Sequence, residues 1–295
     1  MRYLVAATAL GGPDALSLGR VLARSGDVDL TVCVVVPETW DHPSPARVDA
    51  EYDAFLNQYA EDAIAEARAS LGDDVRAEYV STSSPSASEG LIATAAETGA
   101  ALIVLGSARH GPLGRFTAGG IANEMLHASP VPVALAPQGY RPSPGARLNR
   151  VTCAFSGSTQ SRSAFDAAAQ LSRRHGVPLR LVTFVVRDRQ MYPSQVGYDA
   201  EAMVAEQWRV QAMEAQEQAL ATLPNNAAVE AAVVDGRDWE DAVHSLPWEE
   251  GEVLVVGSSR LGPVARVFLG SNSTKILRSS PVPVVVVPHG AEVHL

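Results

Sequence analysis

Short blocks of unbroken apolar residues alternate along this chain with longer stretches in which apolar positions recur at helical spacing. Residues 3–8 form the first block, the pattern of a parallel strand covered on both faces. Helical spacing over 15–24 and a second apolar block at 29–36 follow. The longest predicted helix covers 50–71, with Tyr52, Leu56, Tyr59, Ala63, Ala67 and Leu71 on one stripe. Alternation at 75–80 predicts a third strand, and 89–97 a helix that stops at Gly99. Residues 101–105 and 131–136 supply two more strands, with a short helix over 120–127 between them. The same order then runs again. Strands are predicted at 151–155, 180–186, 229–234, 253–256 and 282–287, and a long helix over 199–223.

The second series rewrites the first. Residues 102–137 return as 253–288 without a gap: Gly106 matches Gly257, Gly119 matches Gly270, and Pro130 matches Pro281. A period of about 150 residues is the size of a domain rather than of a solenoid repeat. The chain therefore divides into a first domain over 1–140 and a second over 148–295. Residues 138–150, with two prolines and two glycines, read as the linker. Strand–helix alternation implies α/β architecture in each half, a doubly wound parallel sheet of five strands. Such sheets bind ligands beyond the carboxyl ends of their strands, where the strand order reverses. That points to Thr8, Val36 and Gly106 in the first half, and to Ser156, Val186 and Gly257 in the second.

Composition removes several function classes. The 295 residues carry a formal net charge of −10, and no basic run is longer than Arg173 and Arg174, so the electrostatic footprint of a nucleic-acid binder is missing. No apolar run reaches membrane-spanning length, and Gly11, Gly12 and Pro13 interrupt the N-terminal one too early for a signal peptide. The expectation is a cytoplasmic protein without membrane contact. Cys33 and Cys153 each stand alone in an apolar strand and read as small buried hydrophobes of a reduced compartment. The histidines are scattered and no metal site is expected from them, and no GxSxG nucleophile elbow occurs. Trp239 and Trp248 flank His244 ahead of a strand and read as packing residues.

The chemistry is concentrated in two glycine loops. A strand, a glycine, a short polar loop and a second glycine opening a helix make an anion cradle: glycine allows close backbone approach, and the helix start offers unpaired N–H groups. In the second half, Gly257 and Ser258 end the strand, Arg260 lies in the loop, and Gly270 and Ser271 open the helix. Ser271 caps that helix or donates to a phosphate, and Arg260 and Arg266 are placed to neutralise one. The bland alternative is that the glycines only turn the chain.

The loops and the repeat together resemble the universal stress protein family in its tandem form, over nearly the whole chain. The resemblance implies a sheet in the order 3-2-1-4-5 in each half. Nucleotide-binding members of the family share glycine, two residues, glycine, nine residues, then glycine followed by Ser or Thr. The first glycine falls on Gly106 and Gly257 and the last on Gly119 and Gly270, but the middle one is replaced by Arg109 and Arg260. The hydroxyl position is Ser271 in the second half and Gly120 in the first. The ending S-P-V-P-V at 129–133 and 280–284 is also similar to the family. Where nucleotide-binding relatives carry an Asp at the end of the first strand, this chain has Thr8 and Ser156; Asp14 reads as a helix-start residue. Ser156 to Ser161 is similar to the pyrophosphate loop SGGxDS of ATP-pyrophosphatases but lacks its second glycine and its Asp.

By this resemblance the chain is a regulatory stress-response binding module rather than an enzyme. ATP hydrolysis, if any, is slow, since no general base is visible near the loop. Weak ATP or other adenine-nucleotide binding is expected chiefly in the second domain. There Gly257, Ser258, Gly270 and Ser271 would hold phosphates, Arg260 would offset charge, and Val186 would lie against the base. Gly106, Arg109, Gly119 and Gly120 form the weaker counterpart. The two arginines either replace the lost backbone approach or fill the phosphate space, and both readings stay open. The competing function is a nucleotide-free protein-interaction module with degenerate phosphate loops. Family members pair their last strands edge to edge, and 130–136 and 281–287 are apolar enough to require cover, so a pseudo-dimer of the two domains is implied. A homodimer of the chain is also left open, and the protein partner is not identified.

Overall fold

The computed structural model describes residues 1–7, 13–38, 48–108, 113–117, 119–186, 198–224, 227–260, 267–268, 270–288 and 295. The chain forms two compact units, Met1–Arg147 and Leu148–Leu295.

The first unit runs β1 (Arg2–Ala7), α1 (Asp14–Arg24), β2 (Asp29–Pro37), α2 (Val48–Leu71), β3 (Ala77–Ser84), α3 (Ala87–Thr98), β4 (Leu102–Gly106), α4 (Gly120–Ala128) and β5 (Val133–Ala136). All of its strands are parallel, in the order β3-β2-β1-β4-β5. Helices α1 and α2 pack side by side on the sheet, while α3 packs on it beside α4. Cover on both faces explains the unbroken apolar blocks, and Tyr3, Leu4, Val5, Leu102, Ile103 and Val104 are wholly buried.

The second unit repeats the plan with β6 (Arg150–Ala154), α5 (Thr159–His175), β7 (Leu179–Val186), α6 (Tyr198–Leu220), β8 (Val229–Gly236), α7 (Trp239–His244) and β9 (Glu252–Gly257). A two-stranded hairpin, β10 (Ser259–Arg260) and β11 (Val267–Phe268), precedes α8 (Ser271–Ser279) and β12 (Val284–Val287). The sheet is again parallel, in the order β8-β7-β6-β9-β12.

Local chemistry sets the element ends. The Ser86 hydroxyl accepts from the Glu89 N–H to start α3, and Gly99 closes it at φ 64°. Ser158 does the same for α5, which Gly176 ends at φ 64°. The last strands start later than their apolar blocks suggest, at Val133 and Val284, because Pro132 and Pro283 have no N–H to donate. Each proline still accepts through its carbonyl, from Ile103 N at 3.0 Å and from Leu254 N at 2.9 Å. The serine of each S-P-V-P-V ending ties the turn: the Ser129 hydroxyl donates to Val131 O at 2.7 Å, and that of Ser280 to Val282 O at 2.8 Å. Strand β3 lies further along the chain than the expected 75–80, because its pairing with β2 extends to Pro37 and Ser84.

The cysteines are both buried and free, and burial pushes the Cys153 thiol far up from its ordinary range, which leaves it an unreactive small hydrophobe. Among the described residues, no helix is long and apolar enough to cross a membrane.

The amino ends of the second sheet hold a buried ionic cluster. Arg180 in β7 pairs with Glu252 in β9, their side chains 1% and 0% exposed. Arg180 Nε also donates to the Thr152 hydroxyl at 3.0 Å, and its guanidinium lies over the Trp248 ring at 5.1 Å. Arg150 reaches the other Glu252 oxygen at 2.9 Å. Trp248 is thus a packing residue, its indole N–H held by Val243 O at 2.7 Å. Removing one member strands a buried charge, whereas replacing a whole pair by apolar groups does not. Glu252→Ala should therefore lower stability by about 3–5 kcal/mol in denaturant unfolding. An Arg180→Met, Glu252→Leu double variant, in which Arg150 keeps Glu249 at 2.9 Å, should lose much less, and equal losses would contradict this reading.

Candidate functional site

The strand order of the second unit reverses between β6 and β9, and the chain leaves β6 through a tight loop. Gly157 makes the bend at φ 75°, where a side chain would be strained. Ser158 then caps α5, and its hydroxyl sits 3.0 Å from that of Ser156. Next to this loop the end of β7 presents Thr183 to Val186. The Thr183 hydroxyl is committed to structure: it donates to Phe155 O at 2.8 Å and accepts from Gln216 Nε2 at 2.9 Å.

Two helices complete the surroundings. Helix α7 starts because the Asp238 carboxylate accepts from Asp241 N at 2.8 Å. The backbone N–H and guanidinium of Arg237 hold the Asp241 carboxyl below its ordinary range. The first residue of α7, Trp239, meets Phe184 with ring centroids 6.5 Å apart and planes tilted by 55°. Helix α8 has Gly270 as its N-cap and no side-chain cap, so its first backbone donors are not taken by its own cap residue. Ser271 is the first helical residue and not the cap, a correction to the expectation from sequence. The hydroxyl that ties α8 to the sheet is that of Ser273, which donates to Gly257 O at 2.8 Å.

These elements enclose an open cavity of about 330 Å³ at the carboxyl ends of the strands. Its aromatic and apolar wall is Phe184, Val185, Val186, Trp208 and Trp239, and its polar edge is Ser156, Gln211, Asn272 and Lys275. A smaller space of about 140 Å³ adjoins it, bordered by Ser158, Ser161, Gly257 and Ser273. The volume falls in the range of small-molecule sites, and so does the mix of an apolar wall with a few polar groups. Lys275 places Nζ 5.8 Å from the Trp239 ring centroid, putting a cation beside the aromatic wall.

Of the expected site residues, Ser156 and Val186 line the larger space, and Ser156 and Gly257 the smaller one. Ser258 is buried, and its N–H goes to Val287 O at 2.9 Å, as part of the sheet end. Arg260 lies in the hairpin, paired with Val267; its side chain lies outside the described residues. An extended, paired backbone accepts any residue, which is why this loop accommodates an arginine at the glycine position. Thr8, Arg109 and Arg266 lie outside the described residues.

In the first unit a Cβ on Gly106 would lie 3.6 Å from Asp14 Cβ, so the end of β4 rests against the start of α1. The Asp14 carboxylate is buried there and accepts from Gly139 N at 3.2 Å and Arg141 Nη1 at 2.5 Å. Gln138 exchanges backbone bonds with Gly114 and Arg115 at 2.9 and 3.0 Å, and Ser107 holds Thr117 N at 2.8 Å. Gly119 caps α4 without a side chain, and Gly120 is its first residue.

Sequence reasoning missed Phe184, Trp208, Gln211, Asn272 and Lys275 as lining residues, and it assigned Trp239 to packing. Trp239 does pack, against Phe184, but it also faces the cavity. These groups come from four separate elements, so no local motif announces them. One signal was present: Lys275 is the only lysine in the chain and follows the second glycine of the loop.

The sequence profile described as the universal stress protein family matches residues 8–137 and again 148–288. The chain belongs to this family. It is 42% identical over 280 residues to the universal stress protein Rv2319c of Mycobacterium tuberculosis (strain H37Rv), covering 94% of this chain and 96% of that protein. A universal stress protein of Thermus aquaticus is 28% identical over 139 residues, 46% of this chain and 96% of that one. Among solved structures, a universal stress protein from Archaeoglobus fulgidus superposes with a TM-score of 0.63 at 18% identity, covering 98% of both chains. That likeness is one of fold.

In the second unit α7 is positioned by a close approach of backbone. A Cβ at Gly236 would fall 2.4 Å from Ala242 N, so a side chain there must push α7 aside. Gly236→Ala should cost about 1–3 kcal/mol and alter the near-UV circular dichroism of the Trp239–Phe184 pair. An unchanged spectrum would show that α7 does not need this contact.

Proposed function

We propose that the chain is a regulatory stress-response module of the cytoplasm that binds an adenine nucleotide such as ATP weakly, chiefly in its second unit. The observation that carries this reading is the cavity at the carboxyl ends of β6 and β7. Its wall is Val186 and Trp239, and its edge is Asn272 and Lys275 of α8, whose cap residue Gly270 has no side chain. An apolar wall suits a base, and a helix start with a nearby ammonium suits a phosphate. Ser156, where nucleotide-binding relatives carry an Asp, offers a hydroxyl in place of a carboxylate, which argues for weak binding. The protein is a binder rather than a catalyst.

The first unit is the poorer candidate for a physical reason. A buried carboxylate, Asp14, lies against Gly106, and Gly120 supplies no hydroxyl at the helix start. Next to Gly106 the carboxylate is already paired with Arg141, so a phosphate would compete with Asp14 for that arginine, where the second unit offers Lys275.

Calorimetric titration of the whole chain with ATP tests the proposal. One site per chain is expected. Lys275→Ala should weaken it roughly tenfold, the lower end of a lost charge-assisted hydrogen bond. Two equal sites would overturn the assignment to the second unit. No binding at all would leave the protein-interaction reading, which the lost carboxylate at Ser156 favours.

A further inference from the structure

Two indoles and a phenyl ring, those of Trp208, Trp239 and Phe184, line the cavity of the second unit. Trp239 and Trp208 both line it, from α7 and α6, and Trp208 is 37% exposed. Both indoles border a cavity of about 330 Å³, and a base stacking on Trp239 would take the face over which Lys275 Nζ lies, 5.8 Å from the ring centroid. Trp239 packs against Phe184, carries the Lys275 ammonium over its ring, and opens a helix capped by Asp238. Its orientation is therefore set before any ligand arrives, which lowers the entropic cost of stacking.

The polar groups that could read the edge of a base are two carboxamides, Gln211 and Asn272. A carboxamide carries both an acceptor and two donors and turns to suit its partner. Such groups bind the edge of either purine without strongly preferring one, since adenine and guanine exchange donor for acceptor at matching positions. Ring area, in contrast, is read by the indole face, and a purine has more of it than a pyrimidine.

We infer that Trp239 is the base-stacking plate of this site and makes it selective for purine over pyrimidine nucleotides with little preference between adenine and guanine. The inference rests on the nucleotide-binding reading and extends it: the ligand class becomes purine nucleotides generally. Lys275 then serves two partners in turn. Without ligand it lies over the Trp239 ring; with ligand its ammonium faces the phosphate end beside α8.

The test uses the whole chain and three probes of equal phosphate charge: ATP, GTP and CTP. Affinity is measured by calorimetry and by quenching of tryptophan emission. ATP and GTP should bind within tenfold of one another, and CTP at least tenfold more weakly. Trp239→Ala should weaken ATP binding roughly 5- to 100-fold, the range for one lost base stack. Trp239→Phe, which keeps an aromatic face and the fold, should retain most of the affinity and lose the Trp239 share of the quenching, while the share from Trp208 remains. Trp248→Phe, at the opposite end of the sheet, should keep the quenching. Wild-type ATP affinity in Trp239→Ala would overturn the stacking role while leaving nucleotide binding intact. A preference for ATP over GTP beyond a hundredfold would overturn the ring-area argument in the same way. Failure of all three nucleotides to bind the unaltered chain would remove the underlying reading, and the inference with it.

Discussion

Parallel strands cannot be joined by tight turns, and that constraint organises both units. The main-sheet strands are joined by helical crossovers, so helices cover both sheet faces and the apolar blocks become core. The same rule gathers the loops that follow strands at one end of each sheet. Where the order reverses beside the first strand, neighbouring loops depart in opposite directions and leave a crevice. In the second unit this crevice is the space between the Ser156 loop, the end of β7 and the start of α8.

The two units share this frame and differ in what they put into it. At the carboxyl ends, the first unit places a buried Asp14 against Gly106 and anchors it with Gly139 and Arg141. The second leaves a cavity walled by indoles and edged by a lysine. At the amino ends the contrast runs the other way. β2 has Thr31 opposite Leu4, whereas β7 has Arg180 opposite Thr152 and locked to Glu252 in β9, on the far side of β6. The repeat has thus diverged at both ends of its strands while keeping their middle. Apolar positions in the middle are held by close packing on two faces, and the ends answer to local partners.

Much of the fold was legible because its signals are local. Apolar blocks mark buried strands, Gly99 and Gly176 end helices in the left-handed conformation, and the S-P-V-P-V endings form serine-tied turns into the last strands. The hairpin β10–β11 was not legible, since its strands have two residues each and stand in a segment with no strand periodicity, broken by Gly262 and Pro263. The site was legible only in part. Ser156, Val186 and Gly257 were found from strand order, because a carboxyl-end position follows from topology. Trp208, Trp239 and Lys275 were not, because they sit on three helices.

The sequence alone determined the repeat, the strand and helix order and the family, and through them the end of each sheet where a ligand would lie. These follow from periodicity and from residues within a few positions of one another. Tertiary structure decided which groups face that end. It brought Trp239 against Phe184 and set Lys275 over its ring, and it placed Asp14 beside Gly106. Contacts of this kind depend on how far a helix rotates and slides on its sheet. Packing across the whole core sets that rotation, and no local run of residues encodes it.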